Sequence, residues 1–461
     1  MDTITYVVLS VCLCLCSAFP QPEIKIDAAH RNQLSIRIPD ASGLADVIFW
    51  YELQRRDPVD YRPVQTGRLL LNRNYAGHFF GEIVNTIDPS DDGILEYSVH
   101  YYAPDGNITR RIRDRFFIPS ITPLLPRLVR RGTTVLYDDF SSNVLDTNKW
   151  WFEITSHGGG SGQFQMYTPD TANTFIRNGI LYLKPTFTAD TFGDHFLHSG
   201  KLNFTKQWGS CTYSGHSGCF REGALQNIPP IMSAEIHSKV TLVHGSVEVV
   251  AQIPKGDWLW PAIWLRAEWP WKYGKWPASG EIDIMEARGN LNIKDDHNQD
   301  KSVNVVSSTL HWGASSSQHK HHGESRPSTV GTTWADDFHT YKLDWNADHI
   351  RMDVDNQPIL AWATPTQGYW DYSHLSGNNI WGQGGKDAPF DSKMGLILNI
   401  AVGATNGYFP DSWHNLPHGK PWKNTSPTAM MDFWKNRHQW QSTWHGDDVA
   451  MKVKSVKMIQ Y

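Results

Sequence analysis

A chain of 461 residues is long enough for two or three domains, each with its own apolar core. Its formal charge of −5 and pI near 6.5 exclude the basic field that nucleic acid or an anionic membrane surface would require. Tryptophan is the unusual component: of 21, only Trp50 precedes residue 149, so the two parts of the chain are built differently.

The opening segment "MDTITYVVLSVCLCLCSAFP" holds a short apolar run that closes on small residues, with Cys16 and Ala18 suiting cleavage after Ala18. Residues 1–18 are therefore expected to be a signal peptide, although Asp2 and the missing Lys or Arg make a poor start for one. A membrane anchor is the competing reading, but the run is too short to span a bilayer. Secretion to the extracellular space is the expectation, with no later segment apolar enough to be a membrane-spanning helix. Cleavage would remove Cys12, Cys14 and Cys16. That leaves Cys211 and Cys219, in "CTYSGHSGC", which are expected to form one local disulfide. The sequons at Asn107, Asn203 and Asn424 are glycosylation acceptors in keeping with export.

Residues 21–118 read as short alternating segments ("LSIRI", "VIFWYEL", "ILEYSVHYYA") parted by turn-formers such as "PDASG" and "DPSDDG", the pattern of a small β-sandwich. Residues 110–134 are rich in Arg and Pro. They are expected to carry the last strand into a linker, 119–134, where the dibasic Arg130-Arg131 is a candidate cleavage point. From 135 to 461 the strand signal persists in "GILYLKP", "GSVEVVAQIP", "TYKLDW", "HIRMDVDNQPIL", "MGLILNIAVG" and "AMKVKSVKMIQY", without long helices. One large two-sheet sandwich is expected there, so the fold class is all-β. The cluster "WLWPAIWLRAEWPWKYGKW" mixes its aromatics too closely with Pro and Gly to be core alone, and such rings suit the stacking of sugars.

Next comes "GEIDIMEARGN", residues 280–290. The alternation Glu-Ile-Asp-Ile predicts a strand with Glu281 and Asp283 on one face and Ile282 and Ile284 on the other. On a regular strand Glu286 would point away from the other acids. One bulged residue brings it back to their face. Paired carboxylates on a sugar-sized cleft are the tools of glycosidic cleavage, and a retaining hydrolase needs its pair about 5–5.5 Å apart. Asp283 between them would tune their ionisation. A solvated acidic face and a calcium site are the alternatives.

These residues resemble the E-x-D-x-x-E signature of glycoside hydrolase family 16, in the bulged form of its laminarinase branch. The whole stretch "PKGDWLWPAIWLRAEWPWKYGKWPASGEIDIMEARGN" is similar to the same region of the invertebrate β-1,3-glucan-binding proteins, also called Gram-negative-bacteria-binding or lipopolysaccharide- and glucan-binding proteins. So are "CTYSGHSGCFRE", "SSTLHWG", "FHTYKLDW" and "LILNIAVGATNGYFPDS". The resemblance runs in order over nearly all of 135–461. It implies a concanavalin-like β-jelly-roll with a substrate groove, preceded by an immunoglobulin-like β-sandwich that recognises glucan.

By the same resemblance Glu281 is the nucleophile, Glu286 the acid/base and Asp283 the residue assisting the nucleophile. Trp260, Trp264, Trp276, His311 and Asn399 are the implied substrate-binding residues. The implied partners are β-1,3-glucan, lipopolysaccharide and the proteins of an immune cascade such as that leading to prophenoloxidase. No nucleic acid is implied, and no redox or organic cofactor, with a structural calcium left open. Because members of the family that lack these glutamates act as lectins, binding alone, endo-β-1,3-glucanase activity and a digestive role all stay open at this stage. Three further motifs are set aside. "HKHHGE" is expected to be an exposed loop and not a metal site, "KDDHNQD" (294–300) a solvated loop, and "GGGSG" (158–162) no nucleophile elbow.

Overall fold

A computed structural model describes residues 132–461 in full and, before them, the backbone of eight strands between residues 23 and 118. The chain divides into two compact units, Met1–Val129 and Arg130–Tyr461. The expected signal peptide, Asn107, Arg130-Arg131 and most of the linker lie outside the described residues. In the first unit the strands form two antiparallel sheets of four. One runs in the order Glu23–Ile26, Gln33–Ile38, Phe79–Val84, Asn72–Arg73, and the other in the order Pro63–Leu70, Asp46–Arg55, Gly93–Tyr102, Ile108–Ile118.

The second unit is a jelly-roll sandwich. Its first sheet has seven strands in the order Trp150–Phe152, Glu235–Leu242, Met394–Val402, Leu259–Ala267, Glu281–Ala287, Val305–Trp312, Lys320–Pro327. The second sheet has eight strands, centred on Met451–Gln460 and Gly245–Gln252. Its first strand, Thr133–Asp138, starts two residues before the expected domain start at 135 and pairs with Met451–Gln460. Alternation is plainest in Gly245–Gln252, where every second residue is buried. The hairpin between His349–Val354 and Gln357–Ala363 turns on Asp355 and Asn356, both at positive φ, the conformation two-residue turns demand and these residue types tolerate. The longest helix among the described residues, Ala429–Lys435, has seven residues.

Apolar side chains from both sheets meet in one core: Ile282, Ile284, Ile263 and Leu398 from the first, Val247, Val249, Leu343 and Met458 from the second. Most of the tryptophans belong to this core. Trp150, Trp258, Trp345 and Trp440 are fully buried, and each of the last two uses its indole N–H on a backbone carbonyl, Phe390 and Phe433 respectively. Cys211 and Cys219 are joined by a disulfide. The loop it closes packs beside the first sheet, where the Tyr213 carbonyl accepts from Thr155 Oγ1 and the Gly218 carbonyl from the Ser156 N–H.

Candidate active site

The strand Glu281–Ala287 lies between Leu259–Ala267 and Val305–Trp312. Against the first neighbour, Glu281 faces Arg266, Asp283 faces Trp264, Met285 faces Ile263 and Glu286 faces Ala262. From Asp283 to Glu286 this strand advances three residues while each neighbour advances two, Trp264 to Ala262 and Thr309 to Ser307. That is the one-residue bulge expected from sequence. It sends Ile284 and Met285, both fully buried, into the core and returns Glu286 to the face that carries Glu281 and Asp283. The apolar residues anchor the strand, and the acids line the sheet's open side.

Two of the acids have a partner placed by another element. The Trp260 indole N–H donates to Glu286 Oε1 at 2.8 Å. That indole is fixed by Tyr408, stacked on it at 3.7 Å with the planes 5° apart. Tyr408 is held in turn by its hydroxyl on the Ala287 carbonyl (3.0 Å) and by the Arg288 guanidinium over its ring (4.0 Å). His311, opposite Glu281 on the next strand, puts Nε2 3.0 Å from Asp283 Oδ2. Its Nδ1 lies 2.8 Å from Nε2 of His319.

Burial pushes the Glu281 carboxyl up to about 8, with the neighbouring Asp283 adding to the shift while His311 and Arg266 oppose it. Burial, and then the charge of Glu286, hold Asp283 well above the usual carboxylate range. Glu286 is also raised by burial, against the downward pull of His311 and the Trp260 N–H. Burial raises all three carboxyls, and the charge on one opposes ionisation of its neighbours. A group that must donate a proton and one that must be ionised can coexist there.

Beside the acids the open face continues through Trp264 and Asn399. The Trp264 N–H donates to Asn399 Oδ1 (2.8 Å), and the Asn399 amide donates to the Tyr167 hydroxyl (2.9 Å). Asn399 is thus buried and spent on positioning Trp264, over which Arg266 lies at 5.3 Å. Beyond it a second acid group was not anticipated from sequence. Glu235, paired with Asn399, has Oε1 2.8 Å from His237 Nε2, and Thr212 donates to Glu153 at 2.7 Å. Burial raises Glu153; in Glu235 burial is the largest single influence, but the hydrogen bond and charge of His237, with the charges of Arg266 and His157, together lower it. Among the described residues two sets bring three metal-capable donor atoms within 4.8 Å of one another: Glu153, Glu235 and His237, and Glu281, Asp283 and His311.

The five residues expected to bind substrate therefore divide. Trp264, Trp276 and His311 reach the open face, Trp276 being 41% exposed with its ring 4.8 Å from that of His319. Trp260 and Asn399 are buried supports for Glu286 and Trp264. Sequence reasoning did not single out Trp269 and Trp271, which are 77% and 38% exposed, although both stand in the quoted tryptophan cluster. It also missed Arg266, Tyr408 and the Glu235–His237 pair, whose roles depend on contacts with distant segments.

One expectation is overturned. "HKHHGE" is not an exposed loop: Lys320–Pro327 is a strand paired along its length with Val305–Trp312, with His321 directly opposite His311. The alternation in it was hidden by the absence of apolar residues. Of the sequons, Asn203 is exposed at a helix cap, accepting from the Lys206 N–H, whereas the Asn424 amide donates to the Phe409 carbonyl and would lose that bond to a glycan.

The sequence pattern of the Glycosyl hydrolases family 16 matches residues 202–380. The chain is 39% identical to a "Beta-1,3-glucan-binding protein" of Penaeus monodon over 341 residues, 71% of this chain and 88% of that protein. It is 30% identical to the "Beta-1,3-glucan-binding protein 1" of Manduca sexta, over 72% of this chain and 66% of the relative. It is also 31% identical to the "Glucan endo-1,3-beta-glucosidase A1" of Niallia circulans, over 63% of this chain and 37% of that enzyme.

Proposed function

The chain belongs to the family of β-1,3-glucan-binding proteins that carry a family 16 glycosyl hydrolase domain, and from that premise we propose that it is a secreted β-1,3-glucan-recognition protein of innate immunity whose jelly-roll also hydrolyses the glucan. The observation that carries the reading is the bulge that aligns Glu281, Asp283 and Glu286 on one open face, with Trp260 placed on Glu286 and His311 on Asp283. In its ionised form, whose share grows as pH rises towards 8, Glu281 attacks the anomeric carbon as the glycosidic C–O bond breaks, and Glu286 gives its proton to the departing oxygen. Glu286 then takes a proton from water, whose oxygen displaces Glu281 and leaves the configuration retained. Asp283, oriented by His311, sets the ionisation of its neighbours, and Trp264 and Trp276 offer faces for sugar rings.

The first unit is the anchoring module in this reading, an immunoglobulin-like sandwich, with lipopolysaccharide as a second ligand and cascade proteins as downstream partners. The test is reducing-end release from laminarin by the purified protein beside Glu281→Gln. Release that falls at least ~1000-fold in the variant is the expected result. A second reading, recognition without turnover, is favoured by the relatives from Penaeus monodon and Manduca sexta, which are named as binding proteins. No release from either protein, with both still retained on insoluble β-1,3-glucan, would establish it instead. Release by both would remove Glu281 from the chemistry.

A further inference from the structure

We propose that His311, His319 and His321 form a binding site for a borderline transition-metal ion, Zn²⁺ or Cu²⁺, on the open face beside the acid strand. The three imidazoles are gathered by the fold. His311 and His321 are direct cross-strand partners, and His319 stands just before the edge strand. Their ring centres are 5.0 Å (His311 to His319), 5.6 Å (His319 to His321) and 5.9 Å (His311 to His321) apart. A metal–nitrogen bond of about 2.0–2.1 Å puts each ring centre about 3.2 Å from the ion, so two rings at a tetrahedral angle stand about 5 Å apart. The first pair already meets that spacing, with His311 Nδ1 and His319 Nε2 only 2.8 Å apart. His321 is exposed on the edge strand and needs only a side-chain rotation to complete the set.

A further feature is that of a ligand set. The remaining nitrogen of His311, Nε2, lies 3.0 Å from Asp283 Oδ2, the carboxylate–histidine arrangement that orients metal-bound imidazoles and makes them more basic. Trp276, 4.8 Å from the His319 ring, closes one side, and the other is open to solvent. His322 belongs to the opposite face, its ring 4.1 Å from that of Trp362, and takes no part. Where the acid strand hydrolyses glucan, an ion here arrests it by holding His311, whose other nitrogen faces Asp283; this consequence alone rests on the proposed function.

The test is calorimetric titration of tag-free, full-length protein with Zn²⁺, together with visible absorption on titration with Co²⁺. One site of micromolar or tighter affinity and cobalt bands of a nitrogen-rich tetrahedral centre are expected. H319A/H321A should weaken that site at least ~100-fold, and D283N by about 10–100-fold. H321N alone, a change at an exposed edge position, should weaken it about 10-fold, and its intact fold keeps the test valid if the double variant unfolds. No Zn²⁺ bound at 100-fold excess would overturn the proposal. So would unchanged affinity in H321N and H319A/H321A, which would place the ion elsewhere, for instance at Glu153, Glu235 and His237. None of these readouts requires turnover, so failure here is separable from failure of the hydrolase reading.

Discussion

Replacing Glu281 by glutamine should stabilise the jelly-roll, and the gain should grow with pH. In the unfolded chain the carboxyl ionises near its ordinary value of 4.5, whereas burial and Asp283 keep it protonated in the fold up to about 8. A folded-state pKa above the unfolded one means that stability is fully present below the unfolded value and is lost as pH rises through the folded one. Each unit in that window costs about 1.4 kcal/mol, so from pH 5 to 8 the wild type loses up to about 4 kcal/mol to this group. Because Asp283 and Glu286 share the protons of the patch, a loss on the order of 2–4 kcal/mol is the working figure. A glutamine side chain would fill the same volume without ionising. Urea unfolding of both proteins at pH 4.5, 6, 7, 8 and 9, followed by tryptophan fluorescence, measures the difference. All tryptophans but Trp50 lie after residue 149, so the signal reports the jelly-roll unit. A difference near zero at pH 4.5, rising to pH 8 and flat above, is expected. A difference independent of pH, or one that shrinks as pH rises, would refute the claim that this carboxyl is held up by burial. Stability gained as catalysis is lost is the usual sign of a site kept at a cost to the fold.

Two other substitutions check the partners. Trp260→Phe keeps the stack on Tyr408 but removes the N–H that favours ionised Glu286, so the Glu286 pKa rises. The alkaline limb of the laminarin rate profile should move up by about one unit; a limb that stays or moves down would deny that hydrogen bond its role. Trp150→Phe leaves Asp138 Oδ2, buried and 2.8 Å from the indole nitrogen, without its donor. Chemical denaturation should show a loss of roughly 2–3 kcal/mol with glucan retention unchanged, and a loss under about 0.5 kcal/mol would show that Lys149, 3.4 Å from the other oxygen, already satisfies the carboxylate.

Much of this protein is decided locally. A strand repeats every two residues, so Glu-Ile-Asp-Ile by itself separates an acid face from a core face, and a third acid at the wrong parity already calls for a bulge. The same period marks most strands of the jelly-roll, and two cysteines eight residues apart with Gly and Ser between them need only a local turn to reach one another. Which strands become neighbours is not local. His319 and His321 join His311 only because the edge strand pairs antiparallel in one register, and a run of Lys, His, Gly and Glu carries no apolar alternation to announce it. The two fates of the tryptophans, Trp260 braced beneath Glu286 and Trp276 facing solvent, likewise depend on what covers each ring. Tyr408, from a segment about 150 residues later in the chain, covers the first, whereas the second stays 41% exposed. Periodicity thus determines which side of its own strand a residue occupies, while contacts between distant segments determine what that side meets, and the ionisation of the acids follows from those contacts.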